Sequence, residues 1–372
     1  MPKNPANDQV GVENSSWKGK VIVRYSAPLL VFCVATAFLG PVSSVAAQTT
    51  SGTAGAWVVP RTPDGHPDLQ GNWSSATLTP IERPQGQGPV LTPEEVRRIE
   101  QGQADFVLGR TLASDPDRAP PVAGGTNPVC IDGPRTCYNG VYFDRGERVA
   151  VVNGEPRSSV ITHPADGRVP SFTPEARERM AESLELRGQF GPSDHPEVRP
   201  LADRCLLSFG SNAGPPMLPN GFYNNNYTIV QTADHVLIMA EMVHDARIIR
   251  IGDGPRLPAR IRPWLDDSWG HWEGDVLVVE TTNIHPLQQF SSAEMKVIER
   301  FSRIDEETIL YEFTIDDPST YTEPWGGEVP MTALHAQLYE YACHEGNYAM
   351  SNILSGARYE ERMEKEAEGA RD

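Results

Sequence analysis

The sequence predicts a mainly β protein, in which an antiparallel meander of strands closes as a barrel or folds as a sandwich. Three observations predict this fold. From Tyr227 onward the chain consists of β-rich runs in pairs, and a short turn separates the two members of each pair. The runs HVLIMAEM and DVLVVE are apolar on both faces, so the outside of the sheet needs a cover. The preceding half is irregular, and we expect it to wrap the sheet as one interwoven unit.

Residues 1–47 are predicted to be a secretory signal peptide. Basic residues precede the short apolar run of residues 27–40, and small residues then lead to a cleavage position ahead of Gln48. The apolar run is shorter than the roughly 20 residues that a membrane-spanning helix needs. We therefore expect an exported protein, periplasmic or extracellular, without a stable membrane anchor.

Residues 48–225 form the predicted wrapping region. Stretches such as TPDGHPDLQGNW and NAGPPMLPNG are rich in Pro and Gly and force turns. Two helices interrupt these turns, one starting at Thr92 and one at Thr173. Each of these threonines precedes Pro-Glu and a highly charged run, which is typical of a helix N-terminus.

Residues 226–350 contain the predicted sheet. Hairpin turns are expected at residues 232–234, at Glu273–Gly274 and at residues 305–307. The run ARIIRI adds a further strand, and EVPMTA with QLYEYAC is a candidate fourth hairpin, which gives about nine strands. Residues 351–372 are expected to form a charged C-terminal helix or tail.

The four cysteines after the signal peptide predict disulfides, because export places them in an oxidising compartment. Cys130 and Cys137 flank a Gly-Pro turn, so a local bridge between them is expected, and Cys205 with Cys343 would then form a long-range bridge. Four cysteines allow three connectivities, and the spacing alone does not choose among them. The chain has no Cys-x-x-Cys pair, so thiol redox chemistry is not indicated.

The formal net charge of the chain is −18. Such an acidic chain repels phosphate backbones and anionic lipid surfaces, so nucleic acids are not expected partners. The oligomeric state is left open. The motifs Gly-x-Gly-x-x-Gly, His-Glu-x-x-His and Gly-x-Ser-x-Gly are absent from the sequence, which removes the usual support for nicotinamide, zincin and serine-hydrolase chemistry.

Five residues are the candidate catalytic groups, because they bring imidazole and carboxylate side chains to the strands and to one turn: Glu241, His244, Asp245, His271 and His344. Each of these residues could instead have a purely structural role. Glu241, Asp245 and Arg247 share one face of a strand, where an acid beside an arginine commonly forms a structural ion pair. His271 could be a hydrogen-bonded strand residue, and His344 lies in a Glu-Gly-Asn turn that also caps the final helix.

Six further residues are candidate ligand-binding groups: Trp269, Glu280, Asn283, Arg247, Glu299 and Glu312. If the acids among them point into a barrel, they must be paired, and an interior lined by paired charges is a candidate ligand site. If they face solvent, their ion pairs contribute little to stability. The loop of residues 283–294 is the candidate lid over one end of the sheet.

No cofactor is predicted. The histidines lack the fixed spacing of a zinc motif, so a site for a divalent metal would have to be assembled by the fold, and it is the less favoured alternative.

Several segments in fixed order resemble a large family of exported bacterial proteins: PDGHPDLQGNW, GHWEGDVLVVETTN, YEFTIDDPSTYTEPW and YEYACHEGNYAM. The resemblance covers most of the chain after the signal peptide, from about residue 58 to about residue 358. It implies a shared fold and carries no catalytic residues with it. The hairpin HWEGDVLVVE is also similar to those of lipocalin-like barrels, which bind or transform small apolar molecules.

The leading functional hypothesis is an exported barrel that binds a small, largely apolar molecule and acts on it by acid–base chemistry. The first alternative is a non-catalytic structural or protein-binding module of the cell envelope. The second alternative is a metal-dependent hydrolase.

Overall fold

The computed structural model describes residues 57–111, 144–208, 214–221, 225–242, 246–288 and 291–370. The predicted signal peptide and the predicted Cys130–Cys137 bridge lie outside these ranges. Within them, no helix has both the length and the apolar character that crossing a membrane requires.

The described elements are, in chain order, β1 (Gly71–Ser74), α1 (Pro93–Thr111), β2 (Val151–Val152), β3 (Glu155–Pro156), β4 (Ile161–His163), α2 (Pro174–Gly188), a 3-10 helix (Pro196–Val198), β5 (Asn226–Gln231), β6 (His235–Ala240), β7 (Ala246–Ile251), β8 (Asp267–Glu273), β9 (Val276–Thr282), β10 (Lys296–Arg303), β11 (Thr308–Asp316), β12 (Trp325–Ala333) and α3 (Ala349–Gly369).

Nine of the described strands form a closed barrel. Their order around it is β1, β5, β6, β7, β8, β9, β10, β11 and β12, and Trp73 of β1 pairs with Ala333 of β12 to close the ring. β4 adds a tenth strand beside the first residues of β12, while β2 and β3 form a separate ribbon. Of the two predicted architectures, the barrel is confirmed and the sandwich is wrong, because the pairing of β1 with β12 leaves no open edge between two sheets.

The expected hairpins β5–β6, β8–β9 and β10–β11 are confirmed, and each pair is antiparallel. One strand pair departs from the antiparallel meander. Residues 252–266 carry the chain from the end of β7 back to the end of the barrel where β7 began, so β8 runs parallel to β7. The candidate fourth hairpin is also wrong. Residues 337–343 form no strand, because β12 already pairs with β11 on one side and with β1 and β4 on the other.

The interior of the barrel follows the two-residue period of its strands. In β10 and β11 every second residue is buried, and these inward residues are mostly apolar: Val297, Glu299, Phe301, Ile309, Tyr311, Phe313 and Ile315. Burial of such side chains contributes about 1.5–3 kcal/mol each, so this layer supplies much of the driving force for closing the barrel.

The two predicted helices begin directly after Thr92 and Thr173, as the sequence indicated. Thr92 precedes α1 and forms a capping box, in which the Thr92 N–H donates to the Glu95 carboxylate at 2.7 Å and the Glu95 N–H donates to the Thr92 hydroxyl at 3.3 Å. Thr173 caps α2 by accepting a hydrogen bond from the Ala176 N–H at 3.1 Å. Both helices come from the half of the chain that wraps the barrel.

One end of the barrel is covered by residues 214–218, which we call the plug segment. We call this end, where β5, β8, β10 and β12 begin, the plugged end. Met217 of the plug segment is completely buried, and its N–H donates to the Tyr311 hydroxyl at 2.9 Å. Asn225, also completely buried, donates through its amide to the Asn220 carbonyl at 3.0 Å, which ties the residues after the plug segment to the start of β5.

A disulfide joins Cys205 to Cys343, as the sequence predicted. Their Cα atoms are 5.8 Å apart, and the cysteines are separated by 138 positions in the chain. Asn347 donates to the Cys205 sulfur at 3.3 Å, so the turn after β12 is held against the segment that leads into the plug.

Candidate functional site

A buried ion pair lies inside the barrel near the plugged end. Arg247 of β7 and Glu299 of β10 have side chains that are 2% and 0% exposed, and Arg247 Nη1 donates to Glu299 Oε1 at 2.9 Å. The same guanidinium donates to the Ser268 hydroxyl at 3.0 Å and to the Thr281 hydroxyl at 2.7 Å. The Tyr311 hydroxyl donates to Glu299 Oε1 at 2.9 Å. Side chains from four strands, together with Tyr311, therefore supply hydrogen-bond partners for both charged groups.

The electrostatics of this network keep the arginine charged. Burial opposes the charged guanidinium, but the adjacent Glu299 carboxylate favours it, and the net effect raises the pKa of Arg247 above its ordinary value. Burial also raises the pKa of Tyr311 well above its ordinary value, with the Glu299 charge adding to the effect. The phenol therefore stays protonated, which lets it donate to Glu299 while it accepts from the plug segment.

A cavity of about 100 Å³ lies at the plugged end, between the plug segment and the strands. Its walls are mainly apolar and include Leu201, Leu218, Ile284, Met295, Ile315 and Trp325. Ser208, Gln288 and Ser291 supply the polar part of the wall. An apolar pocket with a few polar groups is the usual form of a small-molecule site.

Asp266 is a buried carboxyl group that is joined to the wall of this cavity through Gln288. Its Oδ1 accepts from the His285 N–H at 3.2 Å and from the Gln288 amide at 3.2 Å, and Gln288 lines the cavity. Its Oδ2 is buried and has no hydrogen-bond partner within the described ranges. Burial raises the pKa of Asp266 to about 7, although these hydrogen bonds and the charge of Arg247 act in the opposite direction.

The backbone holds Asp266 in an unusual conformation. Asp266 and Asn283 flank the open end of the β8–β9 hairpin, and both have left-handed backbones, with φ of 63° and 59°. Asp and Asn tolerate this conformation better than most residues do. The Asn283 side-chain amide donates to the Ile261 carbonyl, so its observed role is to fasten the loop before β8. Strained positions of this kind cluster at functional sites.

Trp325 brings an indole group to the cavity wall. The residue is only 4% exposed, and its ring packs edge-on against Phe313 and Tyr321, with centroids 5.9 and 5.7 Å away. Its Nε1–H is buried and finds no acceptor in the described part of the chain. Leaving a buried donor unpaired costs about 1–3 kcal/mol, so this group calls for an explanation.

The predicted catalytic residues do not come together at the cavity. His271 lies on the outer face of β8 with 57% of its side chain exposed, and its Nε2 is 3.3 Å from Glu273. Glu241 follows β6 and accepts from the Asn226 amide at 3.0 Å, and its partial burial raises its pKa. His344 lies exposed in the turn after Cys343. The expected convergence of these three residues on one pocket is therefore wrong.

His244 and Asp245, the other two candidates, lie outside the described residues. We expected an acid close in sequence to pair with Arg247. The observed partner of Arg247 is instead Glu299, which lies three strands away around the barrel.

The predicted ligand-binding residues divide between the two faces of the sheet. Arg247 and Glu299 point inward, as described above. Glu280 lies on the outer face and pairs with Arg256 at 2.8 Å, and Glu312 is half-buried on the outer face of β11. Trp269 packs under the Arg250 guanidinium, which is 4.3 Å from the ring centroid. Only the inward pair belongs to the same end of the interior as the cavity.

Asp266, Gln288 and Trp325 were not found by reasoning from the sequence. No motif surrounds them, and only the tertiary structure places Gln288 and Trp325 in the cavity wall and Asp266 in hydrogen-bond contact with Gln288. The one local signal is the Asp-Asp pair at 266–267 ahead of a strand, which is also ordinary turn chemistry. Among the described residues, no group of three or more His, Cys, Asp or Glu side chains is placed to hold a metal ion.

The fold and the site together define a closed, nine-stranded β-barrel with a plugged end and a small apolar cavity. In comparisons with known proteins, no family model, no curated protein and no solved structure matches this chain. The resemblance to a family of exported bacterial proteins stays a prediction.

Proposed function

We propose that this protein is an exported barrel that binds a small, largely apolar molecule in the cavity at the plugged end. The observation that carries the proposal is the cavity itself, about 100 Å³ of space with mainly aliphatic and aromatic walls between the plug segment and the strands. An apolar cavity of about 150 Å³ takes up benzene in another protein, so this one suits a slightly smaller molecule.

Asp266 supports the acid–base part of the proposal. A general acid or base works best when its pKa lies near the working pH, and burial brings the pKa of Asp266 to about 7. Asp266, which is joined to the cavity wall through Gln288, therefore replaces the histidines as the favoured proton-transfer group near the cavity. Catalytic roles for Glu241, His271 and His344 stay predictions that this site does not use.

The proposal is tested by titrating the purified protein with cyclopentane, which has a suitable size and no polar group. Binding is followed by nuclear magnetic resonance and by the rise in thermal stability that a bound ligand causes. Leu201 lines the cavity and is half-buried, so Leu201→Trp is expected to fill the space and to weaken binding at least about ten-fold.

Leu186→Trp is the matched control, because Leu186 lies on α2 with 58% of its surface exposed and does not line the cavity. Its binding should equal that of the wild type. If the wild type shows no saturable change with cyclopentane or with similarly sized alcohols, the proposed function is wrong.

A second candidate, a protein-binding module, is favoured by one observation. Leu184, Leu186 and Phe190 lie on or just after α2 and are 68%, 58% and 49% exposed. Exposed apolar side chains grouped on one element commonly mark a contact surface. A photo-crosslinking residue at Leu186 should then give one discrete adduct in producing cells, whereas the same residue at Glu182 of α2 should not. Equal, diffuse labelling from both positions would argue against this candidate.

A further inference from the structure

A mainly apolar groove lies beside the cavity, between α2 and the described part of the loop of residues 283–294. Its volume is about 690 Å³, and the loop residues that line it include Pro286, Leu287 and Ser291. Leu287 and Ser291 also line the cavity at the plugged end, so these two residues form a wall that the two spaces share. The groove therefore extends the space in which a hydrocarbon ligand is buried.

One face of α2 forms the other side of the groove. The residues of this face that line it include Ala176, Met180, Ser183, Leu184 and Arg187, whose spacing of three and four places them in one row along the helix. Burial decreases along this row, since Ala176 is 1% exposed, Met180 is half-buried and Leu184 is 68% exposed. The groove is therefore closed near the start of α2 and open near its end. From Ala176 to Arg187 the helix rises about 16 Å, so the groove suits an elongated ligand.

Hydrogen bonds hold the two sides of the groove in place. Arg179 of α2 donates to the Ser319 carbonyl and to the Thr320 hydroxyl, each at 3.0 Å. On the loop side Ser292 is buried, and its N–H and hydroxyl donate to the Asp317 carboxylate at 2.8 and 2.6 Å. Asp317, Ser319 and Thr320 belong to one turn after β11, so both sides are fastened to the same segment. A site that is formed in advance lowers the cost of ordering on binding.

The charged groups that line the groove favour an anionic head group at its open end. Glu294 accepts from the Ser319 hydroxyl at 2.5 Å, and Arg179 is bonded as described above. Arg187 lies in the last turn of α2 and has no ion-pair partner among the described residues. A guanidinium at this position is placed to bind a carboxylate through two parallel hydrogen bonds.

We propose that the groove and the cavity form one continuous site for an unbranched alkyl chain that ends in a carboxylate. The end of the chain lies in the cavity, its middle passes Leu287 into the groove, and its carboxylate binds Arg187. Leu287 is 52% exposed, and exposed side chains change rotamer on a picosecond to nanosecond timescale, so Leu287 can let the chain pass. A flexible chain fits both a small cavity and an elongated groove, which a rigid ring system does not. This inference rests on the proposed function and names the ligand as a medium-chain fatty acid.

The test measures the binding of butanoate, hexanoate, octanoate and decanoate by isothermal titration calorimetry at about pH 8, where all four are ionised. Each added methylene that becomes buried is expected to tighten binding about three- to four-fold. If cyclopentane binds and the affinity for the carboxylates does not rise with chain length, this inference is overturned while the proposed function stands. If neither cyclopentane nor any carboxylate binds, both are wrong.

Two exposed leucines of α2 provide a matched pair of variants. Leu184 lines the groove, whereas Leu186 does not. Leu184→Ser is expected to weaken decanoate binding at least about five-fold and to leave cyclopentane binding unchanged, because it alters the groove and not the cavity. Leu186→Ser should leave both unchanged. Equal effects of the two substitutions on decanoate would contradict the proposed site.

Arg187→Gln tests the head group. It is expected to weaken decanoate binding about five-fold and to leave decanol binding unchanged, because only the carboxylate carries a charge. Arg177→Gln is the control, since Arg177 is also exposed on α2 and does not line the groove. The same affinity for decanoate in both variants would contradict the assigned role of Arg187.

A measurement on the wild type covers the case in which a variant does not fold. In nuclear magnetic resonance spectra of the decanoate complex, the terminal methyl group should show nuclear Overhauser effects to Met295 and Ile315, which line the cavity and not the groove. The methylene groups next to the carboxylate should show them to Leu184. Effects from the whole chain to groove residues alone would contradict a continuous site.

Discussion

The guanidinium of Arg247 donates to both carboxylate oxygens of Glu299 inside the barrel, although the two residues are 52 positions apart in the chain. The strands between them around the barrel, β8 and β9, supply Ser268 and Thr281 as further acceptors for the guanidinium. Removing two ions from water costs several kcal/mol each, and this set of hydrogen bonds offsets that cost. This hydrogen-bonded pair therefore favours the arrangement in which these faces of β7, β8, β9 and β10 point into the barrel.

Breaking this pair should destabilise the barrel strongly. Glu299→Gln leaves Arg247 buried without its counter-charge, so the free energy of unfolding is expected to fall by about 3–5 kcal/mol, measured by urea denaturation. The double variant Arg247→Met with Glu299→Leu removes both charges and should be clearly more stable than Glu299→Gln. A loss below about 1 kcal/mol in Glu299→Gln would show that the pair is not desolvated as described.

Asp266 should make stability depend on pH. Its pKa is about 7 in the folded protein and 3.8 as its ordinary value, so the folded state keeps a proton that the unfolded chain has already lost. Stability is therefore expected to fall as pH rises from about 4 to 7, by up to about 4 kcal/mol from this group, and to level off above that range.

Denaturation at pH 5 and at pH 8 measures this dependence. Asp266→Asn keeps the left-handed backbone acceptable and removes the titration, so its stability should change less between these pH values. The same pH dependence in wild type and variant would assign the effect to other groups.

Loss of the Cys205–Cys343 disulfide should lower stability by about 2–5 kcal/mol, because the bond closes a long loop of the unfolded chain. Thermal unfolding of Cys205→Ser, Cys343→Ser and the double variant measures this. The three should lose similar stability, since any one substitution already removes the bond. Unchanged stability after reduction of the wild type would contradict this prediction.

His271→Ala should leave ligand binding and stability near those of the wild type. The side chain is exposed on the outer face of β8, and its contact with Glu273 at 3.3 Å is a surface interaction of about 0–1 kcal/mol at most. Titration with cyclopentane and thermal unfolding check this. A selective loss of binding would restore His271 as a candidate catalytic residue.

Export should remove the N-terminal segment. The expected result of N-terminal sequencing on protein recovered from the periplasm or the medium is a chain that starts at Gln48. Recovery of a chain that retains residues 1–47 would contradict the predicted signal peptide.

Local chemistry made the hairpins and the helices predictable from the sequence. The turns at residues 232–234, 273–274 and 305–307 combine β-rich runs with short turn residues, and Thr92 and Thr173 carry their own capping signals. Each of these features depends on neighbours within a few positions, which the sequence displays directly. The long-range Cys205–Cys343 disulfide was one of three connectivities that the four cysteines allow, and the tertiary structure shows it.

The sequence by itself therefore determined the class of the fold, its strand hairpins and its helix starts, and it offered the Cys205–Cys343 pairing as one of three connectivities. Only the tertiary structure decided that β1 closes the barrel, that β8 runs parallel to β7, and that Glu299 is the partner of Arg247. It alone places Trp325 and Gln288 in one cavity wall and joins Asp266 to that wall through Gln288. The physical reason is that side chains alternate along a strand with a period of two, so local patterns describe two faces equally well, and contacts between distant segments choose the one that is buried.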